Sequence, residues 1–277
     1  MSTITVGTED GSPVELYYEV QGTGAPVVLI HGWPLDGRSW EKQVGALVEA
    51  GYQAITYDRR GFGRSTPTWG GHDFDTVAAD LEALLSHLNV TGATLVGFSA
   101  GGGAVARYIG TYGTARVAKA VLASAVTPFI YATAGNPEGG LDDATIGHFE
   151  GGITADRADF VDHFLSLFYS TSEGLSVSEA QRVFGRDLAN AASPRATLAG
   201  VSAFGRTDFR GDLEKFTVPT LVIHGDSDQV VPFGISGRRS AAAIPGSELV
   251  VIEGGPHGIA VSHTEQFNAA LLGFLAR

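Results

Sequence analysis

Apolar and polar positions alternate from Ile4 to Thr8 and again from Val14 to Val20, on either side of the turn dipeptide Asp10-Gly11. This predicts an antiparallel hairpin. The pattern then changes: Val27-Val28-Leu29-Ile30 and Gln53-Ala54-Ile55-Thr56-Tyr57 are apolar runs of the kind found in strands buried on both faces. Between them Ser39 to Ala50 has helical spacing, with Ser39 as its N-cap. The alternation continues through a helix from Asp75 to Leu88, a strand at Ala93-Thr94-Leu95-Val96, a helix from Ala100, and a strand from Ala118 to Ala123. From about Thr127 to Asp212 the strand signal disappears, and Arg157 to Phe168 and Ser178 to Ala192 read as helices. The βα pattern resumes with a strand at Thr220 to Ile223, a helix near Gly237 to Ala243, a strand at Glu248 to Ile252 and a helix at Glu265 to Leu275. Repeated βα units predict an α/β fold with a mainly parallel sheet, an N-terminal antiparallel hairpin and one helical insertion. The expected division is a core of residues 1–126 and 213–277 and a helical cap of 127–212.

One turn in this pattern carries chemistry. Gly97-Phe98-Ser99-Ala100-Gly101 lies between a strand and a helix, the context in which Gly-x-Ser-x-Gly forms a strained elbow. The strain lifts the Ser99 hydroxyl clear of the sheet, and helix amides beginning at Ala100 point to where an oxyanion would sit. With 38 glycines in the chain the pentapeptide alone could arise by chance; the flanking strand and helix decide for a nucleophile.

A serine needs a base, normally a histidine held in one tautomer by a carboxylate. In an open α/β sheet the partners belong in loops at the carboxyl ends of later strands. The loop His224-Gly225-Asp226-Ser227-Asp228-Gln229-Val230-Val231-Pro232 offers two acids. Asp226 is close enough to the strand to close the turn on nearby amides, whereas Asp228 lies further out and is the favoured partner. The loop Gly254-Gly255-Pro256-His257-Gly258 offers His257 as the base, its small neighbours letting the ring project towards the elbow. Of the eight histidines, His263 is the rival, better suited to a surface or capping role; His224 and His31 suit structural hydrogen bonds. His72, His87, His148 and His163 are scattered without metal-ligand spacing. The loop His31-Gly32-Trp33-Pro34-Leu35 should supply the second oxyanion donor, the Trp33 N–H beside that of Ala100, while the indole forms a pocket wall.

Composition narrows the partners. The formal charge is −12, and Arg59-Arg60 and Arg238-Arg239 are too short to make a basic stripe, which argues against nucleic acid. There is no cysteine, so disulfides, thiolate chemistry and cysteine-bound metals are excluded. Residues 1–10 lack a basic and then apolar leader and no apolar run is long enough for a bilayer, so a cytoplasmic protein without membrane contact is expected.

Together with the elbow and these loops, Tyr57-Asp58-Arg59-Arg60-Gly61-Phe62-Gly63-Arg64-Ser65, Val126-Thr127-Pro128-Phe129, Asn136-Pro137-Glu138-Gly139 and Thr207-Asp208-Phe209-Arg210 make the chain resemble, end to end, a known group. It resembles the cofactor-free haloperoxidase and arylesterase branch of the α/β-hydrolase superfamily. The resemblance implies the α/β-hydrolase fold, Ser99 as nucleophile, Asp228 as acid, His257 as base, and Trp33 and Ala100 as oxyanion donors. It implies hydrolysis of small or aromatic esters with no metal or organic cofactor, and perhydrolysis, in which hydrogen peroxide takes the acyl group and the peracid oxidises halide. Pro34 resembles the loop of members in which peracid formation is prominent. Ala100 departs from the Met usual in this branch; the backbone donor survives, but the space beside Ser99 is larger. Phe98, Val126, Phe129, Ile130, Phe160, Phe164, Phe204 and Val230 are candidates for an apolar acyl and alcohol pocket, with core packing an equal alternative for each, and Pro34 is a further candidate for its wall. The expected partners are a small-molecule ester, hydrogen peroxide and a second copy of the chain. A lactonase or lactamase using the same triad, and a non-catalytic small-molecule sensor, are the alternative functions.

Overall fold

The computed structural model describes residues 2–277. Among the described residues ten strands and ten α-helices follow one another. The strands are β1 (Thr3–Glu9), β2 (Ser12–Gln21), β3 (Pro26–Ile30), β4 (Gln53–Tyr57), β5 (Ala93–Phe98), β6 (Val117–Ala123), β7 (Ser170–Thr171), β8 (Gly174–Leu175), β9 (Thr220–Gly225) and β10 (Glu248–Ile252). The helices are α1 (Glu41–Glu49), α2 (Phe74–His87), α3 (Ala100–Tyr112), α4 (Asp143–Phe168), α5 (Glu179–Asn190), α6 (Pro194–Arg206), α7 (Arg210–Leu213), α8 (Gly237–Ala243), α9 (Ile259–Ser262) and α10 (Thr264–Leu275).

Eight strands form one sheet in the order β1-β2-β4-β3-β5-β6-β9-β10. The pairs β1–β2 and β2–β4 are antiparallel, and every pair from β4 to β10 is parallel. The apolar runs explain this order. β5 and β9 are buried at every position and β3 at all but its first, because helices cover both faces of the parallel part, whereas β10 at the edge leaves Leu249 and Val251 exposed. Over one face α2, α3, α7 and α8 pack in succession, and over the other α1, α9 and α10 pack together. Helix α3 is buried through almost its whole length, and Gly101, Gly102 and Gly103 let its first turn lie close to the sheet. Among the described residues no helix is long and apolar enough to cross a membrane.

Several local expectations are corrected. Ser39 does not cap a helix: a 3₁₀ turn at Gly37–Trp40 precedes α1, Asp36 accepts the Arg38 N–H at its start, and the Ser39 hydroxyl donates back to the Asp36 carbonyl. The stretch between β6 and β9 is not strand-free, since β7 and β8 pair as a two-residue hairpin. It is also more helical than its periodicity indicates. Helix α4 begins at Asp143, fourteen residues before the predicted helix, and is broken at Asp156, whose carboxylate accepts the amides of Ala158 and Asp159. The predicted helix is therefore the second half of α4; Gly147, Gly151 and Gly152 weaken the signal of the first half. Helix α6 was also missed, although Ser193 followed by Pro194 is a start signal and Ser193 accepts the Ala196 amide.

Candidate active site

The elbow is built where β5 meets α3. Ser99 has φ 53° and ψ −119°, a left-handed conformation for a residue with a Cβ, costing on the order of 1–3 kcal/mol. Its surroundings hold it there: the Ser99 N–H donates to the Ala123 carbonyl at 2.8 Å, and its carbonyl accepts the Gly102 N–H at 2.9 Å. A Cβ at Gly97 would collide with the Gly101 backbone, and one at Gly101 with the Ile30 carbonyl of β3. The two glycines are thus required by close approach on both sides of the turn.

Three side chains from separate loops meet at this corner. The Ser99 hydroxyl lies 3.0 Å from His257 Nε2, and His257 Nδ1 lies 2.7 Å from Asp228 Oδ2. Because Nδ1 faces a carboxylate it carries the proton and donates, which leaves the Nε2 lone pair to accept from Ser99. The other Asp228 oxygen accepts the amides of Val230 at 2.9 Å and Val231 at 2.8 Å. Burial by itself would raise the Asp228 carboxyl, but His257 and hydrogen bonds from His224 and His257 outweigh it and hold the group well below the usual carboxylate range. Phe98 and Phe168 flank the His257 ring, with centroids 5.1 and 4.9 Å away.

The other polar residues of these loops act as supports. Asp226 accepts the Gly254 N–H at 2.8 Å, so it ties the acid loop to the histidine loop and does not reach His257. His224 is fully buried, with Nε2 2.8 Å from the Val231 carbonyl and 3.2 Å from Asp228 Oδ2; a second histidine therefore braces the carboxylate. His31 accepts the Arg59 N–H at Nε2, so its Nδ1–H donates to the Gly32 carbonyl. Burial holds His31 neutral, well below the ordinary histidine range. His263 sits at the junction of α9 and α10 with Nδ1 against the Ser262 hydroxyl, making no side-chain cap. The Tyr57–Ser65 motif pins the loop that follows β3: buried Asp58 accepts the amides of Gly37 and Arg64, both at 2.8 Å.

In front of Ser99 lies a cavity of about 270 Å³. Trp33, Val126, Ile130, Phe164, Phe204 and Val230 line it, six of the residues expected to do so. The Trp33 indole is fixed there by donating to the Thr197 carbonyl of α6 at 3.0 Å and by Phe164 and Phe204 at centroid distances of 5.0 and 5.2 Å. Four predicted wall residues lie elsewhere. Phe98 supports the histidine ring and faces Trp40; the Phe129 ring lies under the Arg210 guanidinium; Phe160 stacks on Phe164 from outside the cavity; and buried Pro34 leaves the wall to Trp33. The remaining walls come from Gly140-Leu141 just before α4, from α4 itself and from the acid loop. Thr145, Phe149 and Leu167 had helical spacing as their signal, and Val231, Pro232 and Ile235 follow the predicted acid directly.

This geometry can pass a proton from a serine through a histidine that a buried carboxylate orients, beside an apolar chamber. A family model for the alpha/beta hydrolase fold matches residues 25–264. The chain belongs to this family. Within it the chain falls in the non-heme haloperoxidase branch of enzymes: it is 46% identical over 271 residues to a non-heme chloroperoxidase of Kitasatospora aureofaciens, covering 97% of this chain and 98% of that one. It is 39% identical over 274 residues to a bifunctional esterase/perhydrolase of Acinetobacter calcoaceticus, covering 98% of each. The crystal structure of a bromoperoxidase from Bacillus anthracis superposes with a TM-score of 0.97 at 53% identity, over 100% of this hydrolase and 99% of that chain.

Proposed function

We propose that the protein is a serine esterase for small or aromatic carboxylic esters that also transfers the acyl group to hydrogen peroxide. The observation that carries this reading is the relay Ser99–His257–Asp228 opening onto an apolar chamber. As the Ser99 oxygen attacks the ester carbonyl, His257 Nε2 takes its proton and Asp228 stabilises the imidazolium. The backbone N–H groups of Trp33 and Ala100 are the donors we assign to the tetrahedral oxyanion; removing one such donor costs about a hundredfold to a thousandfold elsewhere. His257 returns the proton to the leaving alcohol, and an ester bond to Ser99 remains. Water or hydrogen peroxide then gives a proton to His257 as it attacks this acyl-enzyme, releasing carboxylic acid or peracid and restoring the Ser99 hydroxyl. The names of the esterase/perhydrolase and chloroperoxidase relatives support the peroxide branch. Residues 127–212 act in this reading as a cap, because Thr145, Phe149 and Phe164 of α4 and Phe204 of α6 close the chamber over Ser99.

The test is a p-nitrophenyl ester series run with and without hydrogen peroxide, scoring ester cleavage and halide oxidation separately, alongside labelling by a fluorophosphonate probe. Cleavage of short and aromatic esters, peroxide-dependent halide oxidation and label on Ser99 are expected. An unlabelled Ser99 with no turnover would instead revive a binding-only role.

A further inference from the structure

Residues 129–141, between β6 and α4, carry Asn136-Pro137-Glu138-Gly139, a motif that the esterase reading leaves without a role. The segment forms a strap beside the chamber: Ile130, Gly140 and Leu141 are wall residues, although Asn136 itself does not reach the cavity. Its own hydrogen bonds give it a shape. The Ile130 carbonyl accepts the amides of Gly140 and Leu141, both at 2.9 Å, and the Leu141 carbonyl accepts the Ala132 amide at 2.7 Å. Asn136 closes the ring from inside. It is buried, and its Nδ2 donates to the carbonyls of Phe129 at 3.0 Å and Tyr131 at 2.7 Å. These bonds fix the strap internally but not its distance from the facing wall.

That distance is set from α8. Arg239 donates from Nη2 to Asn136 Oδ1 at 2.5 Å, and from Nη1 to the carbonyls of Phe129 at 3.0 Å and Ile235 at 3.3 Å. Its Nε faces Glu138 Oε2 at 3.3 Å. One planar guanidinium therefore grips the strap and the segment after the acid loop at once, and its charge strengthens each bond. Ile235 is also a wall residue, and a Cβ at Gly140 would lie 2.5 Å from its Cδ1, so strap and facing wall are already in contact. Arg210 offers the contrast. It pairs with Asp208 and donates to the carbonyl of Gly135, which is not a wall residue, at 3.2 Å.

We propose that Asn136 and Arg239 form a latch that sets the width of the ester chamber, which makes them positioning residues for acyl selectivity; this rests on the esterase reading. Without the latch the strap moves away from Ile235 and a bulky acyl group gains room, while the loops after β5, β9 and β10 keep the triad in place. Arg239→Met should raise the ratio of kcat/KM for p-nitrophenyl 2-naphthoate over p-nitrophenyl acetate by about tenfold, through KM for the naphthoate, with kcat for the acetate within about twofold of normal. Asn136→Ala should do the same, and the double variant should shift the ratio no further than either single one, because the two residues act as one device. Arg210→Met should leave the ratio unchanged. Arg239→Lys keeps the charge but not the planar fork, so it should shift the ratio in the same direction by less; it carries the test if melting curves show the other variants unfolded. An unchanged ratio in folded variants, an equal shift from Arg210→Met, or an equal fall in kcat on both esters would overturn the latch. So would effects that multiply in the double variant. No cleavage of either ester by the unaltered protein would overturn the esterase reading and the latch with it, whereas cleavage with an unchanged ratio overturns the latch alone.

Discussion

The loops at the carboxyl ends of β3, β5, β9 and β10 and the helices inserted between β6 and β9 face each other across one chamber, but they are built by different physics. In the loops, polar groups are paired in chains. Asp228 is held by two amides and two histidines, Asp226 by the Gly254 amide, and His31 by Arg59 and Gly32. In the insertion, the contribution is aromatic packing: Phe160 stacks on Phe164, Phe149 meets both edge-on, and Phe164 and Phe204 pack against Trp33. The difference teaches that reaction and selectivity are encoded separately here. Directional bonds fix atoms to within a few tenths of an ångström for chemistry, whereas apolar contacts fix only volume and can be exchanged with less loss.

The comparison breaks most visibly at Ser99. Ser99→Ala should fold normally and lower kcat by on the order of a millionfold; substantial remaining ester hydrolysis by the pure variant would remove the serine from the mechanism. Asp228→Asn should lose on the order of ten-thousandfold through the wrong histidine tautomer, and Asp226→Asn far less, because Asp226 only fastens Gly254. A larger loss at Asp226 in parallel kinetics would reverse that assignment.

A smaller effect sharpens the polar side of the comparison. His31 is neutral in the folded chain and its native pKa lies below the unfolded value of about 6.5. Below that pH the unfolded chain binds the extra proton, so His31 makes stability fall as pH drops from about 6.5 towards its depressed native value. Asp228 has a depressed pKa of the opposite charge type. Its contribution is complete above the ordinary carboxylate range and is lost only as pH falls through its lower native value. Melting midpoints from pH 7 to pH 5 should therefore decline, and His31→Gln should flatten the decline.

The smallest effects belong to the insertion. Phe204→Ala should alter the ratio of kcat/KM between long and short acyl esters by about tenfold while leaving the cleavage of the shortest ester close to normal. Phe129→Ala, whose ring is directed at Arg210, should leave that ratio unchanged. If both variants shifted selectivity equally, the chamber walls described here would be wrong.

Much of this is legible in the sequence. The order of strands and helices outside the insertion follows from apolar runs and turn residues, and the bounds of α8 and β10 coincide with their periodic segments. Ser99 announces itself because an elbow needs small residues two positions away on either side, a constraint local enough to leave a mark. Asp228 and His257 were readable for a related reason, since each follows a strand whose carboxyl end must face the same corner. The chamber was less legible. Phe98, Phe129, Phe160 and Pro34 have the same apolar character as Phe164 and Phe204, and nothing in their neighbours tells which way each ring turns.

The sequence by itself therefore determined the fold class, the elbow and the three loops that meet there, because their causes lie within a few residues of one another. Only the tertiary structure decided that His224 would brace Asp228, which aromatics would wall the chamber, and that Arg59 would be buried against Phe62. The physical reason is distance along the chain. Side-chain packing and charge compensation are set by groups brought together from separate elements, such as Trp33 with Thr197 and Phe204, and no local pattern records such meetings.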